Sequence, residues 1–68
     1  ISAQNAENIV VIKTYPGMAN AAAAAVDALA GEMIIGCIAG DDTIFIVVKD
    51  DEQAEIFTNT VRAIMRVV

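Results

Sequence analysis

The 68 residues contain no histidine, one cysteine (Cys37), and only four lysines or arginines against nine aspartates or glutamates. Without histidine the chain lacks the commonest general base and metal ligand at neutral pH. A lone cysteine excludes an intrachain disulfide and a cysteine metal cluster, and it suits a reducing, cytoplasmic setting. A net charge of −5 is the wrong sign for neutralising phosphates, so this segment is not expected to bind nucleic acid by itself. Long apolar runs are missing as well. Met33 to Ala39 and Ile44 to Val48 are the longest, broken by Gly36 and by Gly40-Asp41-Asp42, and both fall far short of the ~20 residues of a membrane span. No charged stretch precedes an apolar one at the N-terminus, and the chain begins at Ile1 rather than Met, which suggests a piece of a longer polypeptide.

What the chain has in excess is apolar residues, at 57%. At this length one domain, residues 1–68, is the only sensible count, and its small core cannot absorb so much apolar surface. Ile9 to Thr14 is β-branched and apolar up to Lys13, bounded by the polar stretch Gln4 to Asn8 and by Pro16-Gly17, and reads as a strand. Ile1 to Ala3 is a possible end of a preceding strand. Met18 to Ala30 is dominated by alanine and opens behind Pro16-Gly17, as a helix start should; Gly31 stops it. Met33 to Ala39 and Thr43 to Lys49 read as two antiparallel strands joined by Gly40-Asp41-Asp42. Asp50 or Asp51 can cap a last helix, with Gln53 placed for a capping box and Ala54, Phe57, Val61, Ile64 and Val68 recurring at helical period. The expected fold is α+β: a two-layer sandwich, its antiparallel sheet carrying both helices on one face, in the order (β)-β-α-β-β-α.

The strand pattern argues for partners. Ile44, Ile46 and Val48 on one face are matched by Phe45 and Val47 on the other, and Val10 and Ile12 by Ile9 and Val11. Two helices can cover only one face. Leaving five or six such side chains in water forgoes roughly 1.5–3 kcal/mol each, comparable in sum to the stability of a small domain. A homo-oligomer is therefore expected, the alternative being simple exposure of the second face. Ala19 and Ala21 to Ala25 fit this reading as spacers that admit a neighbouring backbone, although alanine is also just a good helix former.

The chemistry-bearing candidates are few. Asp41 and Asp42 place adjacent carboxylates at the tip of a hairpin; near an interface they favour a cation that offsets their repulsion, while in solvent they make an ordinary Asx-type turn. Asn20 and Asp27 share one face of the first helix, with Ala23 and Ala24 between them, and there a carboxamide and a carboxylate could fix a small polar ligand or simply be solvated. Asp27, Asp41 and Asp42 together suit a doubly cationic ligand such as arginine: guanidinium makes forked bonds to carboxylate, and the ligand's α-carboxylate would call on backbone N–H groups.

The string GCIAGDDTIFIVVKDDEQAE, with KTYPGMANAAAAAVDAL upstream, resembles the C-terminal domain of the bacterial arginine repressor family, which carries K-T-x-P-G, a helix with Asn or Gln followed by Leu-Asp, and G-T-I-A-G-D-D-T. The resemblance runs from about Asn8 to the C-terminus. It implies a domain that trimerises, pairs of trimers stacked as a hexamer, and L-arginine bound between trimers as co-repressor, with no other cofactor. It implies ligand contacts at Asn20, Asp27, Cys37, Ala39, Asp41 and Asp42. Cys37 is the departure, since the family more often has threonine there; a main-chain contact would survive the change and a hydroxyl contact would not. It further implies a winged-helix DNA-binding domain N-terminal to these residues, through which alone operator DNA would be bound, and a non-enzymatic, cytoplasmic regulator of arginine metabolism genes.

Two other readings are separable from this one. Gly-Asp-Asp hairpins also hold magnesium in template-dependent RNA polymerases, but such a palm needs basic nucleotide contacts and a far longer chain. A purely structural oligomerisation module, with aspartates that bind nothing, would give no heat with L-arginine.

Overall fold

A computed structural model describes residues 2–67; Ile1 and Val68, each assigned a place in an element above, lie outside the described residues. The element order is β1 (Ser2–Ala6), β2 (Ile9–Lys13), α1 (Ala19–Ala30), a 3-10 turn (Gly31–Met33), β3 (Ile34–Ala39), β4 (Thr43–Val48) and α2 (Asp51–Val67). The strands form one four-stranded sheet, β1-β2-β4-β3, with every neighbouring pair antiparallel. The helices pack on one face, α1 over β3 and β4 and α2 over β1, β2 and β4. This is the expected α+β sandwich.

The register explains why one face became the core. Val10 pairs with Ile46 and Ile12 with Ile44, and these four, with Val48, Ala3, Ala19, Val26, Ala54 and Phe57, are the buried apolar residues among the described ones. A period of two then sends the alternate residues to the far side. Val11 pairs with Phe45 and Phe45 in turn with Ile38, placing an apolar row on the face that carries no helix. Phe45 is 54% and Ile38 78% exposed. A shallow depression of about 680 Å³ runs over this row, lined by Gln4, Val11, Lys13, Ile38, Gly40, Thr43 and Phe45.

The boundaries differ from the sequence pattern in instructive ways. Gln4, Asn5 and Ala6, part of the largely polar stretch read above as the boundary before a strand, belong to β1, where they pair with Val11, Val10 and Ile9. An edge strand backed on one side only tolerates polar side chains, because its ladder comes from the main chain. In α2, Ala54 and Phe57 are buried as the periodicity predicts, but Ile64 is 46% exposed and Thr58, absent from the apolar stripe, is 1% exposed. The helix outruns the sheet beneath it: Arg62 already reaches back to donate from Nε to the Ala3 carbonyl at 2.8 Å.

Candidate functional site

The Gly40-Asp41-Asp42 turn closes β3 onto β4, with the Gly40 N–H donating to the Thr43 carbonyl at 2.8 Å. Because β4 pairs with β2, this tip lies at the end of the sheet where β2 runs out at Lys13. The chain leaving β2 is tied to it: the Thr14 N–H donates to the Asp42 carbonyl at 2.7 Å, and the Gly17 N–H to the Asp41 carbonyl at 2.9 Å. Gly17 takes a φ of 82°, which an alanine would adopt only at a cost.

The start of α1 rests on the same carbonyl. Met18 precedes the helix without contributing a side-chain cap. The orphan N–H of Ala19 instead donates to the Asp41 carbonyl at 3.3 Å, so a main-chain oxygen from another hairpin takes over the work usually done by a Ser, Thr, Asp or Asn side chain. Ala19 itself is fully buried. The consequence for chemistry is that the main chain of Asp41 is used structurally, while its carboxylate makes no hydrogen bond or ion pair among the described residues. Asp42 differs. Its Oδ1 accepts from the Thr43 hydroxyl at 2.9 Å, and its Oδ2 lies 4.0 Å from Lys13 Nζ.

The sequence candidates are brought together in part. Asn20, exposed in the first turn of α1, follows directly on the residue bonded to Asp41. Cys37 and Ala39 pair with Ile46 and Ile44, so they point to the helix layer from edge strand β3, where both are half-buried against the core. Asp27 is exposed on the same helix, seven positions beyond Asn20, or roughly 10 Å along the axis at the rise of an α-helix. No hydrogen bond ties its side chain to the other five among the described residues. Five surface depressions among the described residues, of about 220–680 Å³, are lined by none of Asn20, Asp27, Asp41 and Asp42. The six residues thus lie on α1, on β3 and on the turn that follows β3. No cluster of His, Cys, Asp and Glu suited to a metal ion occurs among the described residues. Lys13 and Thr43, which hold Asp42, were not singled out from the sequence; their register as a cross-strand pair becomes visible only once β2 is placed beside β4.

The family description "Arginine repressor, C-terminal domain" matches residues 1–63 of this small α+β sandwich. The chain belongs to that family. Among individual relatives it is similar to the arginine repressor of Caldicellulosiruptor saccharolyticus, 48% identical over 65 residues that make up 96% of this chain and 43% of the relative. It is 51% identical over 57 residues to the arginine repressor of Acetivibrio thermocellus, covering 84% of this chain and 37% of the relative. With that of Lachnoclostridium phytofermentans the identity is 55% over 49 residues, 72% of this chain and 32% of the relative. The chain therefore spans less than half the length of the repressors it matches.

Proposed function

We propose that the chain is the arginine-sensing, oligomer-forming domain of a transcriptional repressor, and that L-arginine bound at the edge between α1 and β3 acts as co-repressor. The observation that carries this reading is the state of Asp41: its carbonyl anchors two N–H groups at the helix start, while its carboxylate has no partner among the described residues. A carboxylate held on a fixed main chain is a suitable acceptor for a guanidinium fork. Asp42 is its chain neighbour, Asn20 follows the residue bonded to its carbonyl, Ala39 and Cys37 offer small half-buried surfaces on β3, and Asp27 lies farther along α1. The open edge fits a ligand completed from outside the subunit.

The assembly proposed is a trimer closed by the apolar sheet face, with two trimers stacked through the α1 edge as a hexamer. Linkage then gives the mechanism. Arginine that binds across trimers stabilises the hexamer by mass action and biases the DNA-binding state. Operator DNA would be bound by a winged-helix domain N-terminal to these residues, in a cytoplasmic protein that acts on arginine metabolism genes without catalysis.

Titration calorimetry with L-arginine, alongside sedimentation at several protein concentrations, tests the proposal. Saturable heat and a shift from trimer to hexamer on adding arginine are the expected result. Absence of heat at millimolar ligand from a confirmed hexamer would reduce the domain to a structural oligomerisation module.

A further inference from the structure

Asp41 and Asp42 are neighbours with different surroundings, and the difference leads to two residues outside the set assigned to the ligand. Lys13 and Thr43 are cross-strand partners at the ends of β2 and β4. Lys13 Nζ donates to Thr43 Oγ1 at 3.0 Å, and the same hydroxyl donates to Asp42 Oδ1 at 2.9 Å. Lysine has only donors and a hydroxyl has only one proton. A hydroxyl that accepts from Lys13 has its own proton to give, and the carboxylate receives it. The relay is therefore directional, from Lys13 through Thr43 to Asp42.

Its value does not lie in the ion pair. Lys13 and Asp42 are 4.0 Å apart with side chains 53% and 49% exposed, a geometry in which solvent and salt leave little net attraction. What the relay contributes is orientation. One oxygen of Asp42, Oδ1, is committed to Thr43, its carbonyl is held by the Thr14 N–H, and the remaining oxygen, Oδ2, lies 4.0 Å from Lys13 Nζ with no hydrogen bond among the described residues.

We infer that Lys13 and Thr43 are positioning residues of the arginine site: together they hold the Asp42 carboxylate so that it offers a single oxygen to the ligand's cationic head and leaves the forked contact to Asp41. This rests on the arginine-sensing reading and deepens it. The relay also joins the two functional surfaces, since Lys13 and Thr43 border the depression on the open sheet face while Asp41 serves the helix layer.

The test is a double-mutant cycle read by calorimetry with L-arginine on the 68-residue chain. Thr43→Val and Lys13→Met should each weaken binding by roughly 3- to 10-fold, the range of one charge-assisted hydrogen bond discounted for exposure. The double variant should bind no more weakly than Thr43→Val, because both changes break one relay. Thr43→Ser, which keeps the hydroxyl, should restore binding and guard against a mere folding defect. Either single variant with unaltered affinity, losses that multiply in the double variant, or failure of serine to rescue would overturn the inference while leaving arginine binding intact. An unsubstituted chain that does not bind arginine would overturn the reading beneath it, and the inference with it.

Discussion

The two helices of this domain begin at opposite ends of the sheet and are held there by different means. At α2 the device is local: Asp50 Oδ1 accepts from the Gln53 N–H at 2.8 Å, an N-cap made by the residue just before the helix. At α1 the nearby side chains contribute nothing, and the Asp41 carbonyl, brought from the β3–β4 hairpin, accepts from Gly17 and Ala19. A side-chain cap engages one oxygen of its carboxylate. A main-chain cap leaves the whole carboxylate available, which is what the ligand role proposed for the acidic turn beside α1 requires.

The sharpest way to break this comparison is to overfill the two helix starts. Ala19 and Ala54 are both fully buried beneath them, and a leucine at either should cost about 1–3 kcal/mol by urea denaturation. Only Ala19→Leu should also weaken arginine binding; equal affinities in the two variants would remove the functional distinction between the ends. Next in size is Gly17→Ala. Its φ of 82° should make the substitution cost about 1–2 kcal/mol, with the loss read in the denaturation midpoint. Asp50→Ala should cost about 1 kcal/mol through the lost cap, with calorimetric affinity for arginine unchanged. The smallest effect on stability belongs to Asp41→Ala, at under about 0.5 kcal/mol because the main-chain bonds persist. The same variant should weaken arginine binding by more than about tenfold. A large loss of stability without loss of affinity would show that the Asp41 side chain is structural after all.

The contrast also explains what could be read from the sequence. The cap at α2 lay within four residues of chain, so Asp50 and Gln53 announced it, and structure shows that bond. The two-sided sheet was equally legible, because alternation along Ile44 to Val48 assigns every side chain to a face, and the buried and exposed sets follow it. β1 was legible only at its start, Ser2 and Ala3, since Gln4 and Asn5 have no strand-like pattern of their own and acquire one only by pairing with Val11 and Val10. The cap at α1 was hidden for the same reason: it is a bond between residues distant in the chain, made by an atom every residue possesses. The juxtaposition of Asn20 with Asp41 follows from that bond. The relay from Lys13 through Thr43 required the register of β2 on β4, which no local motif encodes.

The irregular step in β3 has a consequence for how the chain resists aggregation. β3 is an outer strand rich in isoleucine, with Ile35 66% and Ile38 78% exposed, and its ladder to β4 slips between Ile34 and Gly36. An outer strand of this composition is a template onto which another extended chain can add without limit. The slip bends and twists the strand, so that a newcomer cannot pair along its whole length. A variant that straightened this strand should lose soluble yield before it lost affinity for any ligand. The irregular step thus works against open-ended strand addition along the exposed β3 edge.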